Sequence, residues 1–252
     1  NIGAVLTRQG KYEEALSFLR AALEGSTKKL GDDHVSTISA SIALAGTYGL
    51  LQKNELAMQL YEPAVSRLEK ALGGDHFKTL AATGDMASCL SEMGQHEAAL
   101  ELLQKVHLLQ QKRLGEHHPL TLNTLHQIGE THRHQGQYDL ALENYARVLA
   151  GRETTAGNGR LPLEYYCTVE SMADAYKAQG VYSQSVDYYE RAWRGIRDIF
   201  SDTHPMCLNI LDSKADALIS ERRFEQAITC LSELFRGRIE CFGREHELTH
   251  ET

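Results

Sequence analysis

Two short patterns recur along the 252-residue chain at an almost constant spacing, and they constrain its fold more than any other feature. The first is a turn that leads into a small residue. These small residues follow one another at steps of 42, 42, 42, 44 and 42 residues, at Ala15, Ala57, Ala99, Ala141, Ser185 and Ala227. The second is a Leu-Gly-x-x-His-like stretch, with its histidine at His34, His76, His118, His204 and His246. Self-similarity at one fixed period of this length indicates stacked structural repeats.

Each repeat has the pattern of two helices joined by a short turn, as the unit after His118 illustrates. Pro119 suits the first position of a helix, where its missing N–H leaves no hydrogen bond unmade. Apolar residues then share one helical face, at Leu122, Leu125 and Ile128. Gly136 is placed to end this helix, as glycine commonly does. The sequence therefore predicts an all-α fold of antiparallel helix pairs.

The helix pairs resemble the tetratricopeptide repeat. In the first helix, called helix A in this family, a bulky residue precedes Leu-Gly or Leu-Ala and then an aromatic, and the corresponding positions here are Ser41, Leu44, Ala45 and Tyr48. Small residues recur at the same place, at Ala45, Ala87, Gly129, Ala173 and Ala215. The period and the stretch LGEHHPLTLNTL (114–125) resemble the kinesin-light-chain subtype. The resemblance implies one right-handed superhelical solenoid of about six units over residues 1–252.

Composition narrows the classes of partner and compartment. Lys and Arg total 26 against 34 acidic residues, for a net charge of −8, so a nucleic-acid partner is not expected. No apolar run approaches the roughly 20 residues that cross a bilayer, so no membrane association is expected. The five cysteines include no C-x-x-C pair. An odd count favours a reducing compartment, and we expect the protein to be cytoplasmic.

Both ends of the sequence fall within the repeat pattern. Gly3 aligns with Ala45 in the middle of a helix A, and residues 246–252 begin another one. Free-standing repeat arrays need polar capping units at their ends. We therefore expect a segment of a longer protein that is truncated at both ends.

The family resemblance implies that helix A residues line a concave groove that holds an extended partner peptide. In the first half these positions are Ser39, Ile42, Gly46, Gly49, Ala81, Gly84, Asp85 and Ser88. In the second half they are Asn123, His126, Gln127, Glu130, Arg133, Glu170, Asp174, Lys177, Asn209, Asp212 and Asp216. Asparagines of the kinesin-light-chain groove persist at Asn123 and Asn209, whereas Ser39, Ala81 and Cys167 replace others, so cargo preference is not transferred.

Two acidic pairs in the second half admit two interpretations. Glu170 and Asp174 are spaced i, i+4, as are Asp212 and Asp216. Like charges at that spacing cost about 0.2–0.5 kcal/mol per pair in a helix. One interpretation is a groove that accepts a basic partner segment. The other, which we favour, is neutralisation inside the array by basic residues at Lys177, Lys214 and Arg133.

Catalytic and metal-binding motifs are not evident in the sequence, so we expect neither an enzyme nor a bound cofactor. Five of the twelve histidines sit at the same inter-repeat position, which indicates helix capping and not catalysis. Residues His126, Glu130 and His134 share a face, as do His246 and His250, and either set could bind a transition metal. A polar groove face is the alternative that we favour. No Walker, H-E-x-x-H or G-x-S-x-G motif is present.

Three hypotheses for function follow. The first is a protein-interaction scaffold that binds a partner peptide or segment, for which a kinesin-light-chain-like cargo adaptor is one variant. The second is a C-terminal sensor or autoinhibitory arm of a signalling NTPase of the NB-ARC or NACHT type. The third is an architectural spacer.

Overall fold

Twelve α-helices make up the part of the chain that the computed structural model describes, residues 2–8, 10–157 and 159–243, and that part contains no strand. The helices are α1 (Ile2–Arg8), α2 (Tyr12–Leu30), α3 (Val35–Leu50), α4 (Asn54–Leu72), α5 (Phe77–Glu92), α6 (His96–Leu114), α7 (Pro119–His134), α8 (Tyr138–Ala156), α9 (Leu163–Ala178), α10 (Tyr182–Ile199), α11 (Pro205–Ser220) and α12 (Phe224–Phe242). The all-α prediction is confirmed.

The repeat period is visible in the helix lengths. In each complete pair the first helix has 16 residues, in α3, α5, α7, α9 and α11. The second helix has 19 residues in α4, α6, α8 and α12 and 18 in α10. The two extra residues of the single 44-residue step lie between α8 and α9, at 157–162, where the connection between α6 and α7 spans only 115–118.

The recurring histidines begin the first helices. Each histidine precedes the helix in an extended conformation, and its Nδ1 accepts a hydrogen bond from the backbone N–H two residues later. These bonds are 3.1 Å at His34, 3.2 Å at His76 and His118, and 3.3 Å at His204. One of the four unpaired N–H groups at each helix start is thereby satisfied. The predicted capping role is confirmed at these four positions, whereas His246 lies outside the described residues.

The turns between paired helices use the left-handed backbone region. Gly136, predicted to end α7, has a φ of +74°. Two repeats adopt the same conformation without glycine, because Gln52 has a φ of +56° and Arg222 a φ of +63°. A side chain in this region costs roughly 1 kcal/mol, so these two turns are strained relative to the others.

Backbone contacts divide the chain into two compact units, Asn1–Gln135 and Gly136–Thr252, which we call unit 1 and unit 2. Unit 1 contains α1–α7. Its core joins the small residues Ala45 and Ala57 to the larger Leu19, Tyr48 and Tyr61. The two alanines have no exposed surface, which is the close helix approach that the small-residue positions predict.

Unit 2 contains α8–α12 and has its own continuous core. The fully buried side chains Tyr165, Tyr189, Ile196 and Leu234 fill it, and Ala173 supplies the close approach. In both units small residues allow close helix approach, and large side chains fill the remaining core. The prediction of a single solenoid over residues 1–252 stays a prediction.

Candidate functional site

The acidic residues predicted to line the groove of unit 2 have partners inside the unit. Asp216 accepts from Lys177 Nζ at 3.0 Å, as internal neutralisation predicts. Asp212 accepts from Arg238 at 2.7 Å, and the Arg238 side chain is only 8% exposed. The Tyr189 hydroxyl donates to Asp174. These carboxylates therefore already have donors within the fold.

Two details of the predicted neutralisation differ from the structure. Lys214 was expected to meet Asp212 or Asp216, but its Nζ lies 2.5 Å from Glu190 on α10. The residue that forms an ion pair with Asp212 is Arg238 on α12, which was not named from the sequence. Glu170, another of the predicted positions, lies on α9. Burial raises the pKa of the neighbouring Cys167 thiol, and the charge of Glu170 raises it further. Asn209 lies on α11.

The groove positions of α7 form a local polar network. Arg133 donates to Glu130 at 2.6 Å, and His126 Nε2 lies 3.9 Å from the same carboxylate. His134 Nδ1 lies 3.2 Å from the Ser91 hydroxyl. Within the described residues no three His, Cys, Asp or Glu side chains are grouped to hold a metal ion. His246 and His250, the second metal candidate, lie outside the described residues.

A cavity of about 510 Å³ opens in unit 1 among α1–α5. Four of the eight groove positions predicted for the first half line it, and these are Gly46, Gly49, Asp85 and Ser88. The other four do not. Ser39 Oγ donates to the carbonyl of Val35, and Ile42 packs against the core. Ala81 and Gly84 lie nearer the start of α5 than the residues that line the cavity. A side chain at Gly84 would meet Gln127 at 3.1 Å, so α7 closes that part of the groove.

Glycine in helix A creates this cavity. A Cβ at Gly46 would lie 3.4 Å from the Tyr61 hydroxyl, and a Cβ at Gly49 would meet nothing within 4 Å. The position equivalent to Gly46 in unit 2 is Asp174, whose carboxylate accepts from Tyr189, the equivalent of Tyr61. The space that is open beside the glycine in unit 1 is therefore filled by a carboxylate in unit 2.

Asp85 is one of the two carboxylates that line this site. The residue is exposed to solvent, and desolvation by the surrounding atoms raises the pKa of Asp85 to about 6. No side chain among the described residues forms a hydrogen bond or ion pair with this carboxylate. The pKa of the Tyr61 phenol is also raised. Desolvation is the larger cause, and the negative charge of Asp85 is the second. Burial likewise raises the pKa of the Cys89 thiol.

Sequence reasoning missed most of the cavity wall. The residues that it did not name are Thr7, Leu19, Ala43, Thr47, Leu50, Asn54, Tyr61, Cys89 and Glu92. Leu19, Asn54 and Tyr61 belong to second helices, which the family resemblance does not assign to the groove. The useful signal was the pair Gly46 and Gly49 on one helix, since both remove side chains from the same surface.

None of the helices within the described residues combines the length and the apolar character that crossing a membrane requires.

Comparison with known proteins places the architecture. The profile of the tetratricopeptide repeat matches residues 1–70, 40–107 and 78–154. No curated protein sequence matches the chain. Among solved structures, the repeats of a kinesin-light-chain-type protein from Podosopora anserina superpose with a TM-score of 0.62 at 24% identity, covering 83% of this chain and 98% of that one.

Two further structures share the fold at lower identity. A Rap protein in complex with competence and sporulation factor has a TM-score of 0.70 at 14% identity, covering 95% of this chain and 73% of its own. A signal-transduction ATPase with a tetratricopeptide repeat sensor, from Pyrococcus horikoshii, has a TM-score of 0.63 at 15% identity, covering 95% and 37%. At these identities the likeness shows the fold alone.

Proposed function

Since the chain belongs to the tetratricopeptide repeat family, we propose that it is a non-enzymatic interaction module that holds a segment of a partner protein against the first helices of its repeats. The partner is a protein or peptide, bound in a reducing compartment such as the cytoplasm. No cofactor takes part. The family match over residues 1–154 supports the class of function.

The cavity of unit 1 is the single observation that carries the proposal. It is concave, lies on the predicted helix A positions and is of the size at which side chains of a ligand are buried. Gly46 and Gly49 on α3 place no side chain in the cavity and so keep it open. Glycine in a helix interior nevertheless costs about 1 kcal/mol of stability relative to alanine. A helix that only had to pack would gain stability from alanine at Gly49, where a Cβ meets no neighbour.

A blocking variant tests this proposal. Gly49→Phe places a ring in the cavity mouth, where the added Cβ meets nothing within 4 Å. Random peptides displayed on phage would be selected on the wild-type chain, and the affinity of the enriched peptides would be measured by fluorescence anisotropy. We expect Gly49→Phe to weaken their binding at least tenfold.

Gly25→Phe is the matched control. Gly25 lies on α2, where a Cβ also meets nothing within 4 Å, but it does not line the cavity. The control is expected to bind like the wild type, and circular dichroism would check that both variants keep their helices. Equal binding by all three proteins would place the partner outside the cavity, and a selection that enriches no peptide would contradict the proposed function itself.

A further inference from the structure

The charge of the unit 1 cavity is one-sided. Two carboxylates line it, Asp85 and Glu92, and none of the thirteen lining residues in the described part of the chain is lysine or arginine. Glu92 has a polar neighbour, because His134 Nε2 lies 3.8 Å from its carboxylate. Asp85 has no hydrogen-bond or ion-pair partner among the described residues. An ionised carboxylate without a partner inside a concave site is costly, so a ligand that brings a positive charge would offset that cost.

Hydroxyl groups in the cavity wall can also accept hydrogen bonds from a ligand. Tyr61 presents its hydroxyl beside Gly46. Ser88 Oγ donates to the Gly84 carbonyl at 3.3 Å, which leaves its lone pairs free to accept. The rest of the wall includes the apolar side chains of Leu19, Ala43 and Leu50. The site therefore combines two carboxylates, hydroxyl groups and an apolar wall.

We propose that the cavity of unit 1 binds a lysine side chain of the partner segment, with the ammonium at Asp85 and the methylene stem against the apolar wall. This inference rests on the proposed function, since it names the residue that the groove recognises. A lysine ammonium has three donors around one point, which suits a single carboxylate with nearby hydroxyls. Arginine has a planar fork of five donors and is best met by bidentate partners on several sides.

In the free protein, the charge of Asp85 lowers the stability of the fold. Desolvation raises the pKa of Asp85 to about 6, so ionisation at neutral pH works against the fold. An asparagine would have nearly the same shape without this cost. A carboxylate that lowers stability and meets no partner in the chain has the properties of a binding group.

A double-mutant cycle tests the lysine contact. A peptide enriched on the wild-type chain would be synthesised with its lysine retained, replaced by norleucine or replaced by arginine. Binding would be measured to the wild type, to Asp85→Asn and to Glu101→Gln, an exposed α6 residue outside the cavity whose substitution changes the net charge equally. Norleucine keeps the apolar stem and removes the charge.

We expect norleucine and Asp85→Asn each to weaken binding at least tenfold, and the two together to weaken it little further, because both remove one contact. Glu101→Gln is expected to bind like the wild type. A coupling below fivefold, or enriched peptides that lack lysine, overturns the lysine site while the interaction function stands. Arginine peptides that bind as tightly as lysine peptides overturn the choice of lysine. Failure to enrich any peptide overturns both proposals.

Discussion

Tyr61 in unit 1 and Tyr189 in unit 2 occupy the same repeat position, yet their surroundings differ in where the carboxylate lies. In unit 2 the aspartate is Asp174, fifteen positions before the tyrosine, and it accepts the phenol hydrogen bond. In unit 1 that place is Gly46, and the carboxylate is Asp85, twenty-four positions after the tyrosine. The equivalent of Asp85 in unit 2 is Ser213. The tyrosine of unit 2 is accompanied by an aspartate and a serine, where that of unit 1 has a glycine and an aspartate. This difference separates the filled core of unit 2 from the open acidic cavity of unit 1.

The comparison also separates two kinds of acidic residue. Three of the four that sequence spacing singled out in unit 2 are bonded to Lys177, Arg238 and Tyr189, and these three serve the fold. Asp85 in unit 1 was named only as one of the eight groove positions of the first half, and it lacks such a partner among the described residues. Local charge density was therefore a poorer guide to a binding group than the absence of a partner in three dimensions.

The largest expected difference comes from removing the two tyrosines. Tyr189 is fully buried, so Tyr189→Ala is expected to cost about 3–5 kcal/mol, because it leaves a cavity and strips Asp174 of its donor. Tyr61 is 4% exposed and already faces the cavity, so Tyr61→Ala is expected to cost roughly 1–2 kcal/mol less. Urea unfolding followed by circular dichroism measures both. Equal losses would contradict the contrast between filled and open surroundings.

Next in size is the ion pair of Asp212. Asp212→Asn is expected to cost about 1–3 kcal/mol, because it removes the carboxylate from an Arg238 side chain that is only 8% exposed. Asp216→Asn is the control, since Asp216 and Lys177 are more exposed and such pairs contribute about 0.2–1 kcal/mol. The same unfolding measurement applies. If Asp216→Asn cost as much as Asp212→Asn, burial of the arginine would not be the cause.

An exchange of residues between the units is expected to have a smaller effect on stability. The double variant Gly46→Asp with Asp85→Ser gives unit 1 the residues of unit 2 around its tyrosine. We expect it to be more stable than the wild type by about 1 kcal/mol, through a hydrogen bond to Tyr61 and better helix propensity. We also expect it to lose the selected peptides.

Gly46→Asp alone is the comparison for that exchange. It keeps Asp85 and adds a second carboxylate to the same cavity, where like charges repel. A single variant more stable than the double one, measured by thermal unfolding, would contradict the expected repulsion between the two carboxylates.

The smallest effect concerns pH. The folded-state pKa of Asp85 is about 6, above the ordinary value of 3.8, so the native state holds this proton more tightly than the unfolded one. Its contribution to stability is present below about pH 4 and is lost as the pH rises through about 6. Tyr61 and Cys89 have raised pKa values and stay neutral in this window.

Asp85→Asn is therefore expected to be more stable than the wild type at pH 7, by on the order of 1 kcal/mol or less because the side chain is partly open to water. The difference should shrink towards pH 4. Unfolding by urea at several pH values measures this difference in stability. Glu92, His134 and all other titrating groups are present in both proteins, so their contributions cancel in the comparison. A wild type more stable than Asp85→Asn at pH 7 would reveal a stabilising partner for the carboxylate.

Much of the fold could be predicted from the sequence, because repetition supplies several independent observations of each local feature. His34 and its equivalents marked the helix starts, and Gly136 marked a helix end. The site was predicted less well. Gly49 and Asp85 were named, but Tyr61 was not, since its role depends on a side chain missing at Gly46. The partner of Asp212 is twenty-six residues away on the next helix, and spacing within one helix could not indicate it.

The histidine that precedes four of the first helices also bears on how such a chain can change its length. His76 and His118 hold equivalent places, so recombination between them would remove 42 residues and set Pro119 directly after His76. The junction would still have a capping histidine before a complete first helix, α7. Gln127 would then stand where Asp85 had been. A single genetic event could in this way exchange the ligand chemistry of the cavity while leaving every helix boundary intact.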